Sequence, residues 1–187
     1  MAARACPGSC TAGAKRKPAR DDSEVNAATS AVLSTLGTDV HRHCLIGIGC
    51  DDHGDQIAGL LVVRAVSRAA PAAMALYESS GAPSELAAAW CDATSATVVE
   101  AMPGDVAGVV RRCDPHPRAR VSGCSSARLS PRLREALAMA PLPPQMTVIT
   151  IDARSFVRGV PVAHAVACAA DRVAYEILAE LAVPSGR

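Results

Sequence analysis

The stretch CLIGIGCDDHGDQIAG, residues 44–59, decides the fold of this 187-residue chain. It begins with an apolar run that predicts a buried strand, passes through Gly47 and Gly49, and continues into an acidic segment. An apolar pattern with helical spacing then begins at Ile57. We therefore predict a strand, a tight turn and a helix. We expect Gly49 to be required in the turn through a backbone conformation with positive φ, which favours glycine.

The rest of the chain alternates between strand-like and helix-like patterns in the same way. The predicted strands are CLIGIG, AMALYE, SATVVEAM, AGVVRRC and MTVITID, and the predicted helices are IAGLLVVRAVSRA, PSELAAAW, SPRLREALAMA and PVAHAVACAADRVAYEILAEL. This alternation is typical of an α/β fold, here a three-layer α/β/α sandwich with a mostly parallel sheet of about five strands. Ligands of such folds bind beyond the carboxyl ends of the strands.

The composition disfavours several classes of function. The formal net charge is +1 and 2% of the residues are aromatic, so neither a basic surface nor stacking side chains favour nucleic-acid binding. No apolar run reaches the roughly 18 residues of a membrane span, and no apolar core of a secretory signal is visible. The eight cysteines include no CxxC pair, and several lie in apolar runs, which favours a reducing compartment. We expect a cytoplasmic protein without nucleic-acid or membrane partners.

The first 40 residues differ in composition from the remainder. They contain the segment CPGSC, the basic segment AKRKPAR and the acidic segment DDSE. Charge blocks of this kind are typical of disordered segments. We therefore predict a tail over residues 1–40 and one α/β domain over residues 41–183. Cys6 and Cys10 have no other metal-ligating residue nearby, so a solvated tail is favoured over a metal site there.

Three acids lie near the predicted carboxyl edge of the sheet. Asp55 precedes the first predicted helix, Glu78 ends the second predicted strand and Glu100 ends the third. Taken singly, Asp55 suits a helix N-cap, and acids at strand ends are often only solvated. Because the carboxyl ends of parallel strands meet at one edge, the three acids together make this edge the first candidate for a site.

The glycine turn does not have the spacing of a dinucleotide site. After Gly47 and Gly49 the next glycine is Gly54, two positions later than GxGxxG requires, and aspartates lie between them. The same loop contains Cys50 and His53, whose thiolate and imidazole groups suit a transition-metal ion. No Ser–His–Asp or Cys–His arrangement has an interpretable spacing, so the catalytic residues are unassigned.

The order of these features resembles the hydrogenase maturation endopeptidases. IGIGCDDHGDQIAGLLVVRAV resembles the opening of that family, in which a glycine turn and an acidic pair precede the first helix, and Gly47, Gly49, Asp55 and Gly59 occupy matching positions. LYESSGAPSELAAAW and TVVEAM resemble two further landmarks, whose acids are 22 positions apart here, in agreement with the family's usual spacing. LPPQMTVITID resembles the penultimate strand and the entry to it. The resemblance covers roughly residues 44–181.

The resemblance implies both a function and a site. Members of the family remove a short C-terminal peptide from the large-subunit precursor of a nickel–iron hydrogenase after nickel has been inserted. The nickel is carried by the substrate and contacted by two acids and a histidine, so no cofactor of the protein's own is implied. The first acid position is Gln56 here and the second is Glu100. The histidine position is Ala127, or Ser125 in an alignment shifted by a gap.

The implied ligand set is therefore reduced to one clear acid. Gln56 has a neutral amide, which is a weaker ligand for a divalent metal ion than a carboxylate. No histidine lies between His116 and His164, so the missing histidine does not depend on the alignment. Asp55 remains beside Gln56 as a candidate ligand. We expect the set of Glu100 and Gln56 to bind nickel weakly.

Two functions are consistent with this reduced ligand set. Cys50, His53 or Cys124 can act as replacement ligands, in which case the protein is an active peptidase acting on a hydrogenase large-subunit precursor. Alternatively, the protein is a catalytically inactive binding or scaffold protein on the same fold. The glycines and strand-end acids favour a retained site, whereas Gln56 and the missing histidine favour the second function.

Overall fold

The structure is a computed structural model that describes residues 43–69, 74–116 and 129–182. The predicted tail over residues 1–40 lies outside the described residues, and so do both ends of the predicted domain over residues 41–183. These boundaries therefore stay predictions. Of the candidate site residues, Cys124 and Ala127 also lie outside the described part of the chain.

The described residues form five strands and four helices. The strands are β1 (His43–Ile48), β2 (Met74–Ser79), β3 (Ser95–Pro103), β4 (Val110–Cys113) and β5 (Gln145–Ala153), and the helices are α1 (Ala58–Ser67), α2 (Pro83–Trp90), α3 (Pro131–Met139) and α4 (His164–Ala182). A 3₁₀ turn at Gly54–Ile57 leads into α1. Each predicted strand and helix from residue 43 onward is present, and β3 continues to Pro103, three residues beyond Glu100.

The sheet has the strand order β2-β1-β3-β5-β4. The pairs of β1 with β2, β1 with β3 and β3 with β5 are parallel, and the edge strand β4 is antiparallel to β5. The apolar residues of α1 and α4 pack on one face of the sheet, and those of α2 and α3 pack on the other. The prediction of a three-layer α/β/α sandwich with a mostly parallel five-stranded sheet is confirmed.

The central strands are buried on both faces, which explains their continuous apolar sequences. Leu45 and Val99 contribute to the core under α1 and α4, whereas Ile46 and Val98 contribute to the core under α2 and α3. Successive residues of a strand point to opposite faces, so a run without polar alternation is required when both faces are covered. No helix in the described part of the chain has the length and apolarity needed to cross a membrane.

The cysteines of the described residues are in two states. Cys44, Cys50, Cys91 and Cys168 are free thiols, and Cys44 is buried in the core. Cys113, at the end of β4, is disulfide-bonded. The expectation of reduced cysteines therefore holds for four of these residues and not for Cys113.

The backbone of α1 lies unusually close to β1 and β3. A Cβ atom at Gly59 would overlap the carbonyl oxygen of Ile48 and lie 2.5 Å from the carbonyl oxygen of Val99. A Cβ atom at Gly47 would overlap the carbonyl oxygen of Gly59 and lie 2.7 Å from Cγ2 of Val63. Both positions therefore require glycine for steric reasons, because the first turn of α1 rests on the strand backbones.

Replacement of Gly59 by alanine is predicted to destabilise the protein by about 1–3 kcal/mol, because the added methyl group forces α1 away from Ile48 and Val99. Helix propensity alone acts in the opposite direction, favouring alanine by about 1 kcal/mol. The sign of the change in unfolding free energy, measured by urea denaturation, therefore reports the close packing. An equally stable or more stable variant would show that α1 does not pack this closely.

Candidate functional site

The candidate site lies at the carboxyl edge of the sheet, between β1 and β3. The chain passes from β1 through α1 to β2 on one side, and from β2 through α2 to β3 on the other side of β1. In open α/β sheets, ligands bind outside the carboxyl ends of the strands at such a reversal of strand order. Gly47 is level with Val99 in the β1–β3 register, so Glu100 lies level with the end of β1. The sequence-based location of the site is thus the switch point of the sheet.

The turn after β1 needs glycine for a different reason from the one expected. Among the described glycines the positive φ angles belong to Gly54, Gly81, Gly108 and Gly159, so the expectation of a positive φ at Gly49 is wrong. A Cβ atom on Gly49 would instead lie 2.5 Å from the carbonyl oxygen of Gln56. The Gly49 amide also donates to the carbonyl oxygen of Ser79 over 2.9 Å, which joins the ends of β1 and β2.

Asp55 is fully buried and bonded to backbone far along the chain. Its Oδ2 accepts hydrogen bonds from the amides of Arg154 and Ser155, both at 3.0 Å, and its Oδ1 accepts one from Ala163 at 2.8 Å. Its own amide donates to the carbonyl oxygen of Ser155. Asp55 therefore joins the loop after β1 to the loop between β5 and α4.

The bonds of Asp55 decide its role. Burial raises the pKa of its carboxyl group, but the backbone N–H groups of Ala163, Arg154 and Ser155 together outweigh burial and hold the pKa below its usual range. The N-cap position of the 3₁₀ turn is occupied by His53, whose side chain makes no cap hydrogen bond. Asp55 is thus not the local N-cap that the sequence suggested, and as a fully buried carboxylate bonded through both oxygens to backbone amides it is not exposed to a metal ion of the substrate.

Glu100 is buried on the face of the sheet that α2 and α3 cover. Its Oε1 accepts a hydrogen bond of 3.0 Å from the amide of Ser130, the residue whose side chain caps the N-terminus of α3. Burial raises the pKa of the Glu100 carboxyl group, and the hydrogen bonds from Ser130 oppose this only in part. Because carboxyl groups with strongly shifted pKa values cluster at functional sites, Glu100 is a candidate site residue.

Glu78, unlike Glu100, belongs to a group of ion pairs on the surface. Arg64 of α1 donates to both carboxylate oxygens of Glu78, at 2.9 and 2.6 Å, and also pairs with Asp51. The three acids that the sequence placed at one edge do lie at that edge. They nevertheless have separate partners: Glu78 has Arg64, Asp55 has the β5–α4 loop and Glu100 has Ser130.

Gln56 is half-buried in the 3₁₀ turn, with its backbone carbonyl oxygen against Gly49. Among the described residues, neither Asp55 nor Glu100 belongs to a group of three or more close metal-ligating side chains. The ligand set that the resemblance implies is therefore not assembled from the described residues. The resemblance assigns its second acid to Glu100 and its first acid position to the amide Gln56, and both assignments stay predictions, while Ala127 lies outside the described residues.

Such a group lies in the turn itself and consists of Cys50, Asp52 and His53, called the Cys50 cluster below. The Cys50 thiol donates to Asp52 Oδ1 over 3.0 Å, and the Cys50 sulfur lies 3.1 Å from His53 Nδ1. His53 Nδ1 lies 2.6 Å from the same Asp52 oxygen. The sequence drew attention to Cys50 and His53, which the structure brings together, but it missed Asp52.

Asp52 is oriented by the loop between β5 and α4. Arg158 Nε donates to Asp52 Oδ2 over 2.6 Å, and the amide of Gly159 donates to the Asp52 carbonyl oxygen over 2.6 Å. Hydrogen bonds from Cys50, then His53, and then the neighbouring Arg158 lower the pKa of the Asp52 carboxyl group to about 2. Asp52 is therefore ionised at neutral pH, as a metal-ligating carboxylate must be.

A second buried acid near Glu100 was not singled out from the sequence. Asp152 of β5 is buried and pairs with Arg111 of β4 through a contact of 2.8 Å. Thr150, two residues before Asp152, lies opposite both Glu100 and Arg111 in the register, so these polar side chains share a face of the sheet. The available signal was an acid at the end of an apolar strand, the same pattern that marked Glu100.

Solved structures of hydrogenase maturation proteases share this fold. The hydrogenase maturating endopeptidase HybD from E. coli has a TM-score of 0.61 and 17% sequence identity, over 75% of this chain and 91% of that chain. The hydrogenase maturation protease HycI from Thermococcus kodakarensis KOD1 has a TM-score of 0.54 and 19% identity, over 80% and 97%. The hydrogenase 2 maturation peptidase from Thaumarchaeota archaeon SCGC_AB-539-E09 has a TM-score of 0.57 and 18% identity, over 75% and 97%.

These likenesses confirm the fold that the resemblance implied. At such low identity they show the common architecture, and the activity of this chain is a separate question. No protein-family model matches the chain, and no curated protein matches it either.

Replacement of Asp55 by asparagine is predicted to destabilise the protein by about 2–3 kcal/mol at neutral pH, because an amide nitrogen then faces a backbone N–H group in a buried position. Since the folded-state pKa of Asp55 is lowered, its stabilising contribution is present above the unfolded pKa of about 4 and is lost as the pH falls through the folded value. The difference between the two proteins, measured by denaturant unfolding, should shrink on acidification.

Asp105→Asn serves as the control, because Asp105 is exposed in the loop after β3. It should leave the unfolding free energy unchanged. If Asp55→Asn is no more destabilising than this control, the three backbone bonds do not hold the two loops together.

Proposed function

We propose that this chain is a hydrogenase maturation endopeptidase-like protein. It hydrolyses a peptide bond near the C-terminus of a nickel–iron hydrogenase large-subunit precursor in the cytoplasm, and the nickel belongs to the substrate. The observation that carries the proposal is Glu100, a buried acid with a raised pKa at the switch point of the sheet, in a fold shared with hydrogenase maturation proteases. Protein processing, and not small-molecule chemistry, is therefore its class of function.

The proposal gives different roles to the residues at the edge of the sheet. Glu100 is the acid that contacts the nickel of the substrate, and the Gln56 amide oxygen is a weaker neutral donor beside the turn. Asp55 does not contact the substrate, because its carboxylate oxygens bind the β5–α4 loop. Gly47, Gly49 and Gly59 are structural. The nucleophile and the general base are not assigned to any residue.

A second candidate function is supported by the same contacts. Glu100 is bonded to the amide of Ser130, and Gln56 carries no charge, so the edge offers the substrate metal fewer ligands than two acids and a histidine would. A protein with such an edge can bind the precursor without cleaving it. In that case the chain is an inactive binding or scaffold protein of the same fold.

The test is incubation of the purified full chain with nickel-loaded and nickel-free forms of a hydrogenase large-subunit precursor from the same organism. Intact-mass measurement follows the loss of the C-terminal peptide. We expect cleavage of the nickel-loaded form only, and we expect Glu100→Gln to reduce the cleavage rate at least about tenfold, which is about 1.4 kcal/mol in transition-state binding. Binding without cleavage would overturn the peptidase and support the scaffold function, and absence of binding would overturn both.

Glu78→Gln is the matched control, because Glu78 is also an acid near a strand end but lies on the surface beside Arg64. It should leave the cleavage rate unchanged. Thermal unfolding of both variants separates loss of the site from loss of the fold.

A further inference from the structure

We propose that the Cys50 cluster binds one divalent transition-metal ion of the zinc, nickel or cobalt type, as a site separate from Glu100 and Gln56. The proposal stands on the geometry of Cys50, Asp52 and His53 and does not depend on peptidase activity. It goes beyond the proposed function because that function places its metal in the substrate.

The three candidate ligand atoms of the Cys50 cluster lie close to one another. The three separations between Cys50 Sγ, Asp52 Oδ1 and His53 Nδ1 are 3.0, 3.1 and 2.6 Å. Around a tetrahedral ion with ligand bonds of about 2.0–2.3 Å, neighbouring ligand atoms lie roughly 3.3–3.7 Å apart. The three atoms therefore need to separate by less than about 1 Å to accept an ion at their centre.

The contacts do not have the arrangement of a catalytic triad. In a triad the histidine contacts the nucleophile through one ring nitrogen and the orienting acid through the other. Here Cys50 Sγ and Asp52 Oδ1 both contact Nδ1 of His53. The thiol and the carboxylate also contact each other directly. Three atoms that face one another in this way form a metal tripod and not a proton relay.

The loop holds the tripod in place from outside. Asp52 Oδ2 is occupied by Arg158, so Oδ1 is the carboxylate oxygen that faces Cys50 and His53. The backbone of Asp52 is bound by the amide of Gly159, and Asp55 anchors the following turn to the same β5–α4 loop. Hydrogen bonds of this kind around a ligating carboxylate orient the ligand and raise metal affinity.

The donor set indicates the class of ion. One thiolate, one imidazole and one carboxylate suit zinc, nickel and cobalt, whereas magnesium and calcium prefer oxygen ligands alone. The three side chains are half-buried, so a fourth coordination position remains open to water or to a ligand. On binding, a metal–sulfur bond replaces the S–H bond of Cys50 and the thiol proton passes to solvent.

A second cysteine–histidine pair provides the matched control. Cys168 and His164 lie one turn apart on the exposed face of α4, with the sulfur 3.5 Å from His164 Nε2. This pair is not part of any group of three close metal-ligating residues among the described positions. It has the same two ligand types as the Cys50 cluster but lacks the carboxylate and the orienting arginine.

The experiment is titration of the full chain, with the Cys113 disulfide intact, with Co²⁺ and Zn²⁺ alone and without any hydrogenase precursor. We expect one Co²⁺ per chain with a thiolate-to-cobalt absorption band, displaced by Zn²⁺. Cys50→Ser should abolish the band and His53→Gln should weaken Zn²⁺ binding on the order of 100-fold, while Arg158→Ala should weaken it about tenfold. Cys168→Ser should leave both the band and the affinity unchanged.

The outcomes are decisive in either direction. Loss of the cobalt band in Cys50→Ser and its persistence in Cys168→Ser would support the site. Absence of binding by the unmodified chain, or a band that survives Cys50→Ser, would overturn it and place any bound metal on other cysteines. Far-ultraviolet circular dichroism checks that each variant is folded. Because no precursor is present, failure of the cleavage test leaves this result unaffected.

Discussion

The close approach of α1 to the backbones of β1 and β3 is the constraint on which the rest of the structure depends. Gly47 and Gly59 allow a separation that a side chain at either position would prevent. Because α1 begins so close to the strand ends, the chain must reverse within the short segment between Gly49 and Ile57. That reversal brings Gly49 close to the carbonyl oxygen of Gln56, so a side chain at position 49 would collide with the turn.

Asp55 connects the turn after β1 to a part of the chain that is distant in sequence. Its carboxylate binds backbone 99, 100 and 108 positions later in the chain, directly after β5 and directly before α4. Because β3 lies between β1 and β5 in the sheet, the bonds of Asp55 span the strand that carries Glu100. Burial of an ionised carboxylate is costly unless its oxygens are hydrogen-bonded, and here three backbone amides supply those bonds. The two loops that border the candidate site are thus held at a fixed separation.

The sequence predicted the fold better than it predicted the contacts of the site. Apolar periodicity reflects burial, and burial in this sheet is nearly uniform along β1, β3 and β5, so these strands were readily identified. The role of Asp55 could not be predicted, since the local N-cap and the distant backbone site require the same residue at the same place. Arg111 and Asp152 were missed for a similar reason, because their pairing depends on the register between β4 and β5.

The adjacent acids Asp51 and Asp52 show most clearly what local sequence leaves open. They are chemically identical neighbours in the turn, yet Asp51 pairs with Arg64 of α1 while Asp52 joins Cys50 and His53. The two acids differ in their contacts because Arg158 and Gly159 donate hydrogen bonds to Asp52. Both donors belong to the β5–α4 loop, which Asp55 also binds. Both carboxylate oxygens of Asp55 accept hydrogen bonds from that loop, and Oε1 of Glu100 accepts one from the Ser130 amide. Among the described residues, the donors that remain gathered at the edge of the sheet are therefore sulfur, nitrogen and oxygen atoms of the turn itself.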